Sequence, residues 1–326
     1  MTTATRANGR ARPVTRTSRP GDCSLVRPVP SDGFVLTPAI QAMVDRALAY
    51  LKAGYPVNLA GPAGTGKTTL ALHAAAQLGQ PVTMIHGNDE FGSSDLVGND
   101  HGFERRLLVD SYVHSVLKRE ESLKALWADS RLTTACREGH VLIYDEFTRS
   151  RPEANNVLLS VLSEGLLNLP KLRPGRQDYL HVHPGFRAIF TSNPREYAGV
   201  HPSQDALTDR LITIYTGDFD RETEVAITVA KSGLPRSDAE WVVDVVRHFR
   251  GRGLSRHRLS VRAAVMIGRV MARLDSPCEP DVPAFLATCR DVLALDGGER
   301  PIPEEELRSE IQAATARGQG AAAVAD

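Results

Sequence analysis

Cysteine is scarce and unpatterned: Cys23, Cys136, Cys278 and Cys289 are scattered through 326 residues with no CxxC pair. Neither a disulfide framework nor a zinc site is built from such spacing, so reduced thiols in a cytoplasmic setting are expected. No apolar run approaches the ~18 residues of a membrane-spanning helix, so no such span is expected. An excess of either charge is also missing, because 39 Lys and Arg balance 39 Asp and Glu. A balanced chain offers no global attraction to nucleic acid. Past the N-terminal arginines there is no basic stripe with interleaved aromatics and no helix-turn-helix pattern, so no nucleic-acid partner is expected. His181 and His183 stand close together without a third ligand near them in sequence. A turn or hairpin role is expected for them ahead of metal binding.

A chain of this length, 42% hydrophobic and 24% charged, can bury one large core and a smaller second one. Residues 1–33 lack any periodic apolar pattern. Arg6, Arg10, Arg12, Arg16 and Arg19 all precede the first acid, Asp22. Organelle transit peptides share that bias, but Pro and Gly would interrupt an amphipathic helix here, which favours a disordered basic tail. At the other end, residues 301–326 drift into Glu and then Ala and Gly, and a flexible tail is expected.

Between the tails, apolar strands alternate with helical patterns. Thr37-Pro38 reads as an N-cap followed by proline in the first turn, opening a helix to about Lys52. Val57–Ala60, Val82–His86, Val141–Tyr144, Arg187–Thr191 and Leu211–Tyr215 are short apolar runs of the kind found in strands buried on both faces of a parallel sheet. From Arg221 the strands stop, and helices are expected at about 221–232, 237–250, 260–274 and 282–295. The spacing predicts an α/β core over 34–218, a parallel sheet with helices on both faces, followed by a small all-helical domain over 219–300.

Gly61-Pro62-Ala63-Gly64-Thr65-Gly66-Lys67-Thr68 satisfies GxxxxGK[ST] in full, after a predicted strand and at the start of a predicted helix through Thr69 to about Leu78. Glycines let the backbone wrap phosphates, and the helix N-terminus offers its free N–H groups to them. Lys67 can reach the β- and γ-phosphates of ATP, and the Thr68 hydroxyl can ligate Mg²⁺. A chance glycine-rich turn would not also bring the strand and the helix. Val141-Leu142-Ile143-Tyr144-Asp145-Glu146 then places two acids at the C-terminal edge of a buried strand, 145 − 67 = 78 residues after the lysine. Ligands of open α/β sheets collect at that edge. Asp145 is a candidate to hold Mg²⁺ through water, and Glu146 to polarise the attacking water.

With Arg187-Ala188-Ile189-Phe190-Thr191-Ser192-Asn193-Pro194, a further strand ending in an amide, the chain resembles the AAA+ ATPases. The resemblance implies that Asn193 orients the lytic water. It also implies that an arginine before the next strand, here Arg210 in Asp209-Arg210-Leu211, reaches a neighbouring subunit's ATP. Arg262, in Ser260-Val261-Arg262, is similar to the arginine such proteins supply from their helical lid. Either arginine could instead be an ordinary surface residue. Arg187 and Arg195 are the next candidates for the arginine acting in trans.

Asp95-Leu96-Val97-Gly98 with Phe103-Glu104-Arg105-Arg106 is similar to an insertion of the MoxR branch, and Leu167–Pro170 through Tyr179–Val182 to its second hairpin. The run from Asp145 through Arg149 and Pro152 to Asn156 resembles the group of rubisco activators, nitric oxide reductase activators and gas vesicle proteins. Trp127–Leu132 and Glu196–His201, leading into Gln204-Asp205-Ala206-Leu207, are most similar to the gas vesicle members. The likeness spans about residues 34–296. It implies ATP hydrolysis to ADP and phosphate in the cytoplasm by a homo-oligomeric ring, a hexamer. That ring would work on a protein client among the gas vesicle proteins. An activator of a metabolic enzyme, and an adaptor that binds ATP without turnover, are the alternatives.

Overall fold

The computed structural model describes residues 25–26, 34–110, 118–169, 179–194, 205–253, 255, 258–293 and 302–322. A short strand β1 (Leu25–Val26) precedes α1 (Pro38–Lys52), which begins where Thr37 Oγ1 accepts from Ile40 N at 3.5 Å. The chain continues through β2 (Val57–Ala60), α2 (Lys67–Gln77), β3 (Val82–His86) and α3 (Ser93–Val97). A long antiparallel hairpin follows, β4 (Gly98–Asp110) with β5 (Lys118–Asp129), its register running from Gly98 opposite Asp129 to Asp110 opposite Lys118. Next come α4 (Arg131–Glu138), β6 (Val141–Asp145), a single 3₁₀ turn over Phe147–Arg149 and α5 (Pro152–Glu164). A small hairpin of β7 (Leu166–Asn168) and β8 (Tyr179–His181), then β9 (Arg187–Ser192), α6 (Asp205–Thr208) and β10 (Ile212–Tyr215), complete this half. The connecting segment Glu196–Gln204 singled out in the sequence lies outside the described residues.

The main sheet has the order β1-β3-β6-β9-β2-β10, and every pairing from β3 to β10 is parallel. The inner strands β2, β6 and β9 are buried almost throughout, which explains why they read as mainly apolar runs. Val141 and Ile143 pack with Val44, Leu51, Leu70 and Ala74 of α1 and α2, whereas Leu142 and Tyr144 pack with Leu132, Ala135 and Leu158 of α4 and α5. The expected disordered tail over 1–33 needs one correction, because Leu25 and Val26 pair antiparallel with Thr83 and Val82. Two apolar residues suffice to add a short edge strand beside β3, with no periodic pattern to announce it. His183 is built into a turn, its Nδ1 accepting from Gly185 N at 2.9 Å, and His181 meets the Tyr179 ring edge-on.

Beyond β10 the structure is helical: α7 (Arg221–Ser232), α8 (Arg236–Arg252), α9 (Val261–Leu274), α10 (Pro283–Val292) and α11 (Glu304–Ala322). Asp220 caps α7 by accepting from Thr223 N at 2.9 Å, and those hydrogen bonds, the one from Thr223 N foremost, hold its carboxyl below the usual range. Val242, Val246, Phe249, Ile267, Met271 and Phe285 form a second core. Cys278 and Cys289 lie inside it, where burial pushes both thiols up, Cys278 to about 12, so neither is a reactive thiolate. Among the described residues no helix is long and apolar enough to cross a membrane.

The flexible tail expected over 301–326 is corrected by α11. Its Leu307, Ile311 and Ala314 recur at helical spacing and are buried in the second core. The acidic start and alanine-rich end mask that stripe in composition, yet Glu304–Glu306 suit the first turn of a helix. Leu307→Ala and Ile311→Ala should each lower stability by about 3 kcal/mol, as for other buried aliphatic truncations. Urea unfolding checks this, and losses below about 0.5 kcal/mol, typical of surface substitutions, would mean that α11 is not docked.

Candidate functional site

Parallel register brings the C-terminal ends of β2, β6 and β9 to one edge of the sheet, and the loop Gly61–Gly66 leaves β2 there. Gly61 is enclosed: a Cβ at this position would lie 2.1 Å from Thr216 O, just past β10. Gly64 and Gly66 adopt φ of +83° and +76°, the left-handed region that favours glycine. Pro62 and Ala63 form the partly open crest of the loop, while Thr65 is buried and donates to Pro62 O at 3.0 Å. With Gly66 as the N-cap, α2 starts without a side-chain cap, so its first N–H groups face outward as anion donors. Lys67 Nζ lies across the loop, 2.8 Å from Gly61 O and 2.7 Å from Pro62 O.

Asp145 closes β6 and is buried. Its Oδ1 accepts from Thr68 Oγ1 at 2.7 Å and from Thr191 Oγ1 at 2.6 Å, and its Oδ2 is 3.4 Å from His86 Nδ1. Glu146 departs from the strand in the left-handed region, φ 53°, and its half-exposed carboxylate pairs with Arg149 Nε at 2.8 Å. Room for that turn comes from Gly87, where a Cβ would lie 2.1 Å from Glu146 O. Asn193 follows β9 directly and is buried at the same edge.

Two arginines fall in different places. Arg262 is exposed in the first turn of α9, and the preceding Ser260 sits against the loop, its Oγ where a Cβ on Gly64 would fall. Arg210 precedes β10 and therefore lies at the opposite end of the sheet from the Gly61–Gly66 loop, since Ile212 pairs with Val57 and Tyr215 with Ala60. Its exposed guanidinium donates to Ser163 Oγ and Ala206 O. Arg187 is bound to its own turn through Pro184 O and Phe186 O, and Arg195 lies outside the described residues.

Several residues of this edge are given no role by the motif reading. Thr191 and Ser260 lie inside stretches singled out for Asn193 and Arg262, and His86 and Gly87 stand at the end of β3. Beside Gly64, Gly66 and Thr69 lies a mostly apolar cavity of about 110 Å³ lined by Phe34, Val35, Met43, Phe219 and Val261. Phe34 stacks on His73 with ring centroids 3.9 Å apart. The cavity joins the start of α1, the loop and the helical domain, a conjunction that no local pattern encodes. It suits a flat base next to a phosphate-binding loop.

The oxygens of Thr68 and Asp145 are hard donors converging beside Lys67, a set that fits Mg²⁺ completed by phosphate oxygens and water. The arrangement is thus fitted to a nucleoside triphosphate. It defines the AAA+ class of P-loop ATPases, and the family model described as AAA domain (dynein-related subfamily) matches residues 56–211. The fold is shared with NtrX from Brucella abortus in complex with ATP, at TM-score 0.52 and 14% identity over 88% of this chain and 64% of that one. The gas vesicle ATPase GvpN of Ancylobacter aquaticus is 48% identical over 294 residues, 89% of this chain and 82% of that protein. More distant is NorQ of Paracoccus denitrificans, 30% identical over 197 residues, 60% of this chain and 65% of that protein. The chain belongs to the GvpN family of gas vesicle ATPases, within the MoxR branch.

Lys67→Ala should abolish measurable ATP binding, because the phosphates lose both a charge and a positioning contact. Fluorescent-nucleotide titration measures it, and near-native affinity would refute the assignment of the loop.

Proposed function

We propose that this chain hydrolyses ATP with Mg²⁺ as a ring of identical subunits, a hexamer, and transmits the conformational change to a protein client during gas vesicle formation in the cytoplasm. The observation behind this reading is the 2.7 Å hydrogen bond between Thr68 and Asp145, which joins the phosphate loop to the acid pair. The loop from Gly61 to Thr69 holds the phosphates, with Lys67 on the β- and γ-groups. Thr68 and Asp145 hold Mg²⁺, which when bound neutralises charge developing on the phosphates. Glu146 polarises the attacking water and Asn193 orients it. The Glu146–Arg149 pair joins two half-exposed side chains, so turning Glu146 toward the phosphates costs no more than about 1 kcal/mol. Arg262 approaches from the lid of the same chain. Residues 34–218 act as the ATPase core and 219–300 as that lid, extended by α11.

Arg210 supports the ring, because its place at the far end of β10 keeps it from its own phosphates. The β4–β5 and β7–β8 hairpins are the parts that reach the client. The gas vesicle role rests on the name of the 48% identical relative. That identity favours it over activation of a metabolic enzyme. Glu146, an acid next to Asp145 at the loop edge of the sheet, favours turnover over an adaptor that only binds.

Glu146→Gln should keep ATP bound and lose turnover by on the order of 10² or more. Binding and phosphate release measured together decide it, since an equal loss of both would make Glu146 a structural acid. Arg210→Ala should bind ATP normally and lose hydrolysis by about 10³. Mixed with Lys67→Ala subunits it should regain some activity, as a junction can then pair an intact loop with an intact arginine. If assembled mixed rings, verified by size exclusion in ATP, stay inactive at every ratio, Arg210 is not the arginine acting in trans.

A further inference from the structure

Thr191 is fully buried on β9, between the β6 strand that ends in Asp145 and the β2 strand that feeds the phosphate loop. Its β9 neighbour Phe190 pairs with Tyr144, so the hydroxyl falls one step further along, level with the acids. A buried hydroxyl costs free energy unless it is bonded. This one makes two hydrogen bonds whose directions are fixed by chemistry. A backbone N–H can only donate, so Thr191 Oγ1 accepts from Glu146 N at 2.8 Å. A carboxylate can only accept, so the single hydroxyl proton goes to Asp145 Oδ1 at 2.6 Å.

One oxygen therefore governs both acids. The bond to Asp145 selects the orientation in which Oδ1 also meets Thr68. The bond from Glu146 N steadies a left-handed residue, a conformation unfavourable for any residue but glycine. It thereby fixes the point at which the Glu146 side chain leaves the strand.

We infer that Thr191 is a positioning residue for hydrolysis, whose hydroxyl sets the metal-binding carboxylate and the water-polarising acid relative to each other. The inference rests on the proposed roles of Asp145 and Glu146. Thr191 acts through its two neighbours, Asp145 and Glu146, as partners of metal ligands do elsewhere.

Thr191→Val keeps the branched shape and strand preference but removes the hydroxyl, while Thr191→Ser keeps the hydroxyl. In the full chain, kcat for Thr191→Val should fall by on the order of 10–100-fold, with KM for ATP within about threefold of the parent. The Mg²⁺ concentration giving half-maximal rate should rise about tenfold. The rise in Tm on adding ATP in EDTA should match the parent, whereas the extra rise on adding Mg²⁺ should shrink. Thr191→Ser should recover kcat to within about fivefold, since it restores the hydroxyl on which the ligand depends.

Parental kcat and Mg²⁺ dependence in Thr191→Val would overturn the inference. So would equal damage in the Val and Ser variants, which would implicate the methyl group instead. Thr191→Ala supplies the same comparison if Thr191→Val does not fold. Failure of both to melt cooperatively would assign the hydroxyl to the fold and overturn the positioning role. If the parent binds ATP without releasing phosphate, the hydrolysis reading fails, yet the Mg²⁺-dependent rise in Tm still tests Thr191 separately.

Discussion

Three parallel strands ending level with one another make the site possible. Thr68 can donate to Asp145 at 2.7 Å only because β9, lying between β2 and β6, pairs with both in a register that brings Ala60, Ser192 and Asp145 to the same edge. A slip of one residue in either pairing would turn core side chains to the wrong face. Apolar packing therefore fixes the geometry of this edge. Val141 and Ile143 toward one helix layer, and Leu142 and Tyr144 toward the other, hold Asp145 to one position. The backbone bond from Gly61 N to Ser192 O, 3.1 Å, carries the same register one step into the loop.

The helical half meets the sheet half through both apolar and polar contacts, with Phe219 and Ile227 packed on the core around β2 and α2 and Thr223 Oγ1 donating to Thr37 Oγ1 at 2.9 Å. Glu224 on α7 is buried, and its carboxylate accepts from Arg247 at 2.9 Å and Arg250 at 2.8 Å. A buried carboxylate is tolerable only with such partners, and here two guanidiniums satisfy it. Arg247 also donates to Phe219 O, and Arg258 pairs with Asp218 at 2.7 Å, so the network grips the segment leaving the sheet. Phe219 lines the cavity beside the phosphate loop, and Ser260 presses on Gly64. The helical domain is thus in contact with the nucleotide site at two separate points of its chain.

Much of this was legible in sequence, for identifiable reasons. Strands of a parallel sheet covered by helices are mainly apolar, so β2, β3, β6, β9 and β10 stand out as short runs close to their observed limits. Only Asn58, Thr83 and Thr213 interrupt β2, β3 and β10. Thr37-Pro38 and the glycine loop mark where α1 and α2 begin because capping chemistry is local. Contacts that depend on tertiary placement were not legible. Leu25–Val26 is too short to carry a period, and the Leu307–Ile311 stripe is hidden by its acidic flank. The acid pair could be read from one strand, but Thr191, His86 and Gly87 matter only through cross-strand register. The cavity at Phe34 and Phe219 joins residues almost two hundred positions apart, and a local pattern cannot show that meeting.

The position of Arg210 turns the sheet's polarity into an argument about assembly. Strand β10 has four residues, so its two end residues are about 10 Å apart at the usual rise per residue. The phosphate loop sits past one end and Arg210 before the other, and a guanidinium bound to Ser163 and Ala206 cannot span that gap within one chain. Under the proposed mechanism the gap is closed by repetition. Each subunit offers its loop edge to one neighbour and its arginine edge to the next, a heterologous contact that must close into a ring or run on as a filament. The first choice completes every site, and the second leaves a terminal loop without an arginine. Under that mechanism closure adds one more junction at which a bound triphosphate meets both its own loop and a neighbour's arginine, so nucleotide favours the ring over an open end.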